Sequence, residues 1–143
     1  MNMKSRVFFY LQLIFVLLLL SGCRSDSASI ELCGLNYTSK HIEDFSVNGY
    51  SGASIYANGG GGSFVCCVLL PRQWNKDLRV TVRWNYDEKN PGAPRERIVA
   101  VPKYSEADIG FLAVHFYSDD TVKVLVTTKT NQFPGYPYPR PGE

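Results

Sequence analysis

The sequence predicts an all-β domain: an antiparallel β-sandwich, or open barrel, of about seven or eight short strands behind an N-terminal leader. Three observations carry this prediction. Runs of alternating apolar and polar residues recur between residues 32 and 130. Gly, Asn, Asp and Pro turn signals separate nearly all of them at short spacing. Beyond the leader no stretch carries an amphipathic helical period, and residues 105–109 can make at most one turn.

The leader comes first. Lys4 and Arg6 form a basic n-region, and residues 7–20 are apolar apart from Gln12. That run falls short of the ~20 residues a bilayer core requires and suits a signal-peptide h-region. Leu20-Ser21-Gly22-Cys23 then closes it with the pattern of a lipobox. There the Cys23 thiol takes a diacylglycerol, cleavage follows, and the new amino terminus is acylated. Each buried methylene contributes about 0.8 kcal/mol, so several chains on one residue anchor stably where one holds weakly. Residues 1–22 are thus expected to be removed, and 23–31 to be a lipidated cysteine on a short flexible tether. Arg24, in the position where Asp retains lipoproteins at the inner membrane, points to the outer membrane with the domain facing the periplasm.

The domain proper is expected over residues 32–130. Shorter strand candidates lie at 32–38, 42–47, 53–57 and 97–101. Residues 64–70 are apolar on both faces, which suits a central strand covered on each side. In the run from Leu78 to Tyr86, Val80, Val82 and Trp84 alternate with Arg79, Thr81 and Arg83, so one face is buried. Leu112, Val114 and Phe116 alternate with Ala113, His115 and Tyr117, and Val122, Val124 and Val126 with Lys123, Leu125 and Thr127. Ser118-Asp119-Asp120-Thr121 between them predicts a hairpin. Asn48-Gly49, residues 58–62, Asn75-Lys76-Asp77 and Asn90-Pro91-Gly92 are further turns. Residues 131–143, rich in Pro and Tyr, cannot enter a sheet interior. They are expected to run extended, either along the domain or free to meet a partner.

Of four cysteines, lipid takes Cys23 and leaves Cys33, Cys66 and Cys67. In an oxidising compartment a disulfide is the first expectation, with one thiol left over. Adjacent residues in a regular strand face opposite ways, so only one of Cys66 and Cys67 can meet Cys33. A Cys33 bond to one of the pair is the preferred reading, with a slight lean to Cys67. A vicinal Cys66–Cys67 bond and three free thiols are the alternatives.

The search for chemistry is largely negative. Fifteen basic residues fall to thirteen once Lys4 and Arg6 leave, against thirteen acidic ones. A near-neutral domain gives no case for nucleic acid or for a polybasic membrane patch. The glycines at 59–62 lead into Ser63 and a strand, without the Lys-Ser/Thr and helix that a phosphate cradle requires. No Gly-x-Ser-x-Gly elbow and no His-Glu-x-x-His occur. With two histidines and no spaced Cys/His set, neither metal nor cofactor is expected. The neighbouring acids Glu43-Asp44, Asp87-Glu88 and Asp119-Asp120 read as solvated pairs, and no catalytic residue is assigned.

Several segments carry a resemblance. Asn36-Tyr37-Thr38, Phe45-Ser46-Val47-Asn48-Gly49, the glycine run ending in Ser63-Phe64-Val65-Cys66-Cys67-Val68, Leu70-Pro71 with Trp74, Val80-Thr81-Val82-Arg83-Trp84 and Val101-Pro102-Lys103-Tyr104 occur in that order. This order resembles a family of small Gram-negative lipoproteins carrying a domain of unknown function. Its members are often encoded beside type VI secretion phospholipase effectors, as their immunity proteins. The resemblance implies a periplasmic protein that binds and blocks an α/β-hydrolase-type lipase, and it supplies no catalytic residues. A structural or assembly lipoprotein of the envelope, with no toxin partner, is the alternative.

Occlusion of a partner protein needs aromatic or Arg anchors inside a polar rim. The candidates are loop and tail residues expected to be free of core duty: Tyr50, Tyr56, Trp74, Tyr104, Tyr136, Tyr138 and Arg140.

Overall fold

A computed structural model describes residues 2–19, 22, 25–86 and 93–142. Cys23, Arg24, the Asp87-Glu88 pair and the Asn90-Pro91-Gly92 turn lie outside them. The N-terminal segment forms one helix, α1 (Met3–Leu19), and no helix among the described residues is long and apolar enough to cross a membrane. Eight strands follow: β1 (Ser27–Asn36), β2 (Ile42–Val47), β3 (Tyr50–Ser51), β4 (Gly60–Pro71), β5 (Arg79–Tyr86), β6 (Arg95–Ala100), β7 (Phe111–Phe116) and β8 (Val122–Thr127). They form two four-stranded sheets, ordered β4-β1-β7-β8 and β3-β2-β5-β6, packed as a sandwich.

Most of the alternation places residues as expected. Val80, Val82 and Trp84 of β5 are buried, Arg79 and Arg83 are exposed, and Thr81 is half-buried. Asn48 and Gly49, at φ 50° and 84°, make the two-residue turn joining β2 to β3, a left-handed conformation that Asn and Gly tolerate best. Ser118–Thr121 closes the β7–β8 hairpin, in which Asp120 stands at φ 60°. A single 3-10 turn at Glu106–Asp108 is all that residues 105–109 contribute.

Four expectations are corrected. The pairing is not wholly antiparallel, because β1 and β7 run parallel at the centre of their sheet, Leu32 beside Leu112 and Leu35 beside His115. β6 ends beside the start of β5, at the end where β1 begins, and residues 101–110 cross there to the other sheet, so β7 starts in the same direction as β1. Second, β4 is an edge strand, although it is apolar on both faces. The strands covered on both faces are β7, buried from Phe111 to Phe116, and the second half of β1. Third, residues 53–57 supply only an isolated bridge, Ile55 to Ile42, and the strand at this edge is the two-residue β3. Fourth, the first strand begins at Ser27 and not at residue 32.

The core between the sheets is built on Ile30, Leu32, Phe45, Val82, Trp84 and Phe116. Trp84 and Phe45 each meet the Phe116 ring at 5.5 Å. Gly34 on β1 lies under Ile55 and Phe45, which occupy the space a Cβ would need. Its missing side chain lets the β3 region close over the core.

Candidate functional site

Three surfaces organise the chemistry of the molecule: the free edge of β4, the tail-covered face of β1 and β7, and a cavity at the end where β1 begins.

At the β4 edge, Ile30 lies opposite Val68 and Leu32 opposite Val65, so Glu31 alone faces both Cys66 and Cys67. Two residues against one is a β-bulge. The two cysteines are bonded to each other across a cis peptide, and Cys33 is a buried free thiol. The expected bond from Cys33 is therefore replaced by the vicinal alternative. Cys33 has Phe64 as its lateral neighbour on β4, so the pair stands further along the strand, out of its reach. The bulge also breaks the alternation that assigned one cysteine to each face. Around it the edge is apolar: Phe64 is 41% exposed and Leu69 52%, with the Phe64 ring set edge-on to Phe111 at 5.0 Å. The edge strand of the other sheet, β3, approaches β4 on the same side and brings Tyr50, 41% exposed.

On the outer face of β1 and β7, the C-terminal tail is packed against the sheet rather than extended. It turns at Thr130–Phe133 and again at Phe133–Tyr136, with Gly135 at φ 80°. Tyr136 is buried, and its hydroxyl donates to His115 Nε2 at 2.8 Å. His115 Nδ1 lies 3.2 Å from the Lys123 carbonyl. A carbonyl only accepts, so the proton sits on Nδ1 and Nε2 receives the phenol. Burial lowers the His115 pKa from its ordinary 6.5 to about 4, aided by the Lys123 charge and opposed by the Lys123 carbonyl. Tyr37 donates to the Tyr138 carbonyl at 3.0 Å, and the Arg140 guanidinium lies over the Tyr37 ring at 5.2 Å. Cys33 belongs to the same covered cluster, with Leu35, Tyr37, Phe111 and Ala113, and burial pushes its thiol up to about 11. With both His115 nitrogens engaged and the thiolate disfavoured, this histidine and cysteine do not make a nucleophile–base pair.

The cavity, about 630 Å³, opens where β1 begins and β4 ends. Ser25 and Asp26 line it and are fixed to Arg72, just past the end of β4: the Arg72 amide donates to the Asp26 carbonyl at 2.8 Å and the Arg72 Nε to the Ser25 carbonyl at 3.1 Å. Trp74 and Tyr104 form its aromatic wall. The Trp74 indole donates to the Val101 carbonyl at 2.8 Å, and the Tyr104 hydroxyl to the Pro71 carbonyl. Arg72 and Glu106 pair at its rim, 3.6 Å apart.

The seven binding candidates are thus divided. Tyr50 and Tyr56, the latter 80% exposed, stand at the surface as expected. Tyr104 and Tyr136 are buried and Trp74 packs against the core, so these three are not free of core duty. Tyr138 and Arg140 are half-buried in the docked tail. Phe64 and Leu69 were missed because an apolar run reads as interior; the long glycine run before them and the doubled cysteine were the signals of an irregular edge. Asn36 was missed as an organiser: fully buried, it donates to the Lys40, Ile55 and Tyr56 carbonyls and accepts from the Thr38 amide, fixing the loop that presents Tyr56.

The neighbouring acids divide in the same way. Glu43 faces His41 at 3.5 Å and Asp44 accepts from Asn85, both acids exposed where a bulge between Ile42 and Asp44 interrupts the alternation of β2. Asp120 is engaged rather than solvated, accepting from Tyr86 and from Arg95 at 3.1 Å. Among the described residues no group of three or more His, Cys, Asp or Glu side chains is placed to hold a metal ion.

A family model described as a protein of unknown function (DUF3304) matches residues 35–124, and the chain belongs to that family. No curated protein and no solved structure matches it.

Proposed function

We propose that this DUF3304 protein is a membrane-anchored periplasmic binding protein, an immunity protein that binds and inhibits a type VI secretion phospholipase effector. The observation that carries the reading is the free β4 edge. Phe64 and Leu69 lie exposed on either side of the Cys66–Cys67 bulge, with Tyr50 on the adjoining edge. A long edge strand offers unpaired backbone groups, and exposed apolar side chains around it mark a surface that binds protein. The lipobox at Cys23 supports the same reading, because lipid on that residue holds the domain in the outer membrane, where a phospholipase acts. Confinement to that surface raises the effective concentration of inhibitor against enzyme. The resemblance to immunity lipoproteins supplies the class of partner.

The test is direct. The soluble mature domain is purified with the candidate lipase encoded beside it, and phospholipid hydrolysis is followed. Inhibition at near-equimolar ratio is expected. An unaffected lipase with no complex on gel filtration would end the proposal in favour of a structural or assembly lipoprotein of the envelope.

A further inference from the structure

We infer that the cavity end of the sandwich lies against the phospholipid headgroups, with Trp74 and Arg72 facing the bilayer and the Asp119-Asp120 end pointing away. This rests on the reading of Cys23 as the lipidated residue and deepens it, because an anchor alone does not fix an orientation.

Reach comes first. Two peptide units separate Cys23 from Ser25, at most ~7 Å of extended chain. Ser25 and Asp26 are already tied to Arg72 at the cavity wall. A lipid on Cys23 therefore brings this end of the domain to the membrane surface and leaves no length for a leash. A tether of residues 23–31 would have let the domain turn freely; the early start of β1 at Ser27 removes that freedom.

The chemistry of the end agrees with its position. Trp74 is half-buried, with its indole N–H bonded to a carbonyl and the ring lining an open cavity beside Tyr104. Such amphipathic rings are favoured at the bilayer interface. Exposed Lys76, Arg79 and Lys103 stand at this end together with Asp26, Asp77 and Glu106. Arg79 is held there by the Lys76 carbonyl at 3.2 Å. Charges of both signs match a zwitterionic headgroup layer, which offers phosphate and ammonium side by side. The opposite end, with Asp120 locked to Tyr86 and Arg95, is separated from it by the length of β5.

The two tryptophans allow a test on the full-length lipidated protein. It is reconstituted into phosphatidylethanolamine–phosphatidylglycerol vesicles containing phosphatidylcholine with a nitroxide on its headgroup. Trp74 is read in the Trp84→Phe protein and Trp84 in the Trp74→Phe protein; should Trp84→Phe unfold, wild type minus Trp74→Phe gives the Trp74 signal. Loss of about half of the Trp74 emission is expected, with Trp84, buried between the sheets, nearly unaffected. Protein that sediments with the vesicles but shows Trp74 spared, or both tryptophans quenched alike, overturns the orientation and leaves the anchor standing. Protein that stays in the supernatant removes the anchor and this inference with it.

Discussion

Tyr136 and His115 hold the C-terminal tail to the sheet through one hydrogen bond of 2.8 Å, from the phenol to the unprotonated Nε2. The bond requires a neutral imidazole. In the unfolded chain His115 takes its proton near 6.5, whereas in the fold it resists until about 4. The unfolded state therefore binds the extra proton first as pH falls. The stability present above pH 6.5 is lost progressively down to about 4, by about 3 kcal/mol in all. Around the ring, Tyr37, Tyr136, Tyr138 and Lys123 offer no carboxylate to offset the charge.

Urea unfolding at pH 7 and pH 4.5 measures this. The wild-type midpoint should fall markedly between the two, and that of His115→Gln much less. Equal falls in both would assign the pH dependence to the carboxylates.

The strands that were legible from sequence are those whose two faces meet different environments. β5 buries Val80, Val82 and Trp84 against the other sheet and turns Arg79 and Arg83 to water, so its pattern states its orientation. The pattern fails where a second layer intervenes. The alternation of His115 with Val114 and Phe116 fits a solvent-exposed histidine as well as a hydrogen-bonded one, and the tail that buries and bonds it comes some twenty residues later in the chain. It fails again at β4, where apolar residues on both faces meant an uncovered edge rather than a covered centre. Alternation cannot tell burial from an exposed binding surface, because it records only the polarity of the side chain.

Trp84 separates volume from hydrogen bonding. It is fully buried, and its indole nitrogen has no hydrogen-bond partner among the described residues. Trp84→Ala should cost about 3–5 kcal/mol as a large-to-small core change. Trp84→Phe should cost only about 1 kcal/mol, since the ring volume lost is partly offset by removing an unsatisfied buried donor. Denaturant midpoints decide it; a Phe variant as unstable as the Ala variant would mean the indole N–H is bonded after all.

Leu69 tests the proposed binding edge without touching the core. It is 52% exposed, with its lateral neighbour Ser29 also at the surface. Leu69→Asp should leave stability within about 1 kcal/mol. Under the proposed function it should weaken inhibition of the candidate lipase by about 2 kcal/mol, roughly thirtyfold in affinity. Titration of lipase activity against the variant is the measurement, and an unchanged titration would move the interface off β4.

Cys33 provides the last test, which reads the disulfide and the docked tail together. With Cys66 joined to Cys67, the Cys23→Ala protein holds one free thiol. In denaturant without reductant it should take up one alkyl group, on the Cys33 peptide, and three after reduction. A link from Cys33 to either member of the pair would instead appear as two joined peptides with the remaining cysteine alkylated. In the native fold the reaction should be slow for two separate reasons. The thiolate is the nucleophile, and a pKa of about 11 in place of the usual 8.5 lowers its fraction at pH 8 by about two orders of magnitude. The thiol is also only 1% exposed, in the cluster shared with Leu35, Tyr37, Phe111 and Ala113. Tyr136→Ala removes the phenol that fixes the tail to His115, so water and reagent should gain entry. Alkylation of Cys33 in that variant should accelerate at least tenfold, about 1.4 kcal/mol in the opening equilibrium, while the far-ultraviolet spectrum stays that of the wild type. An unchanged rate would mean that the strands themselves, and not the tail, keep Cys33 closed.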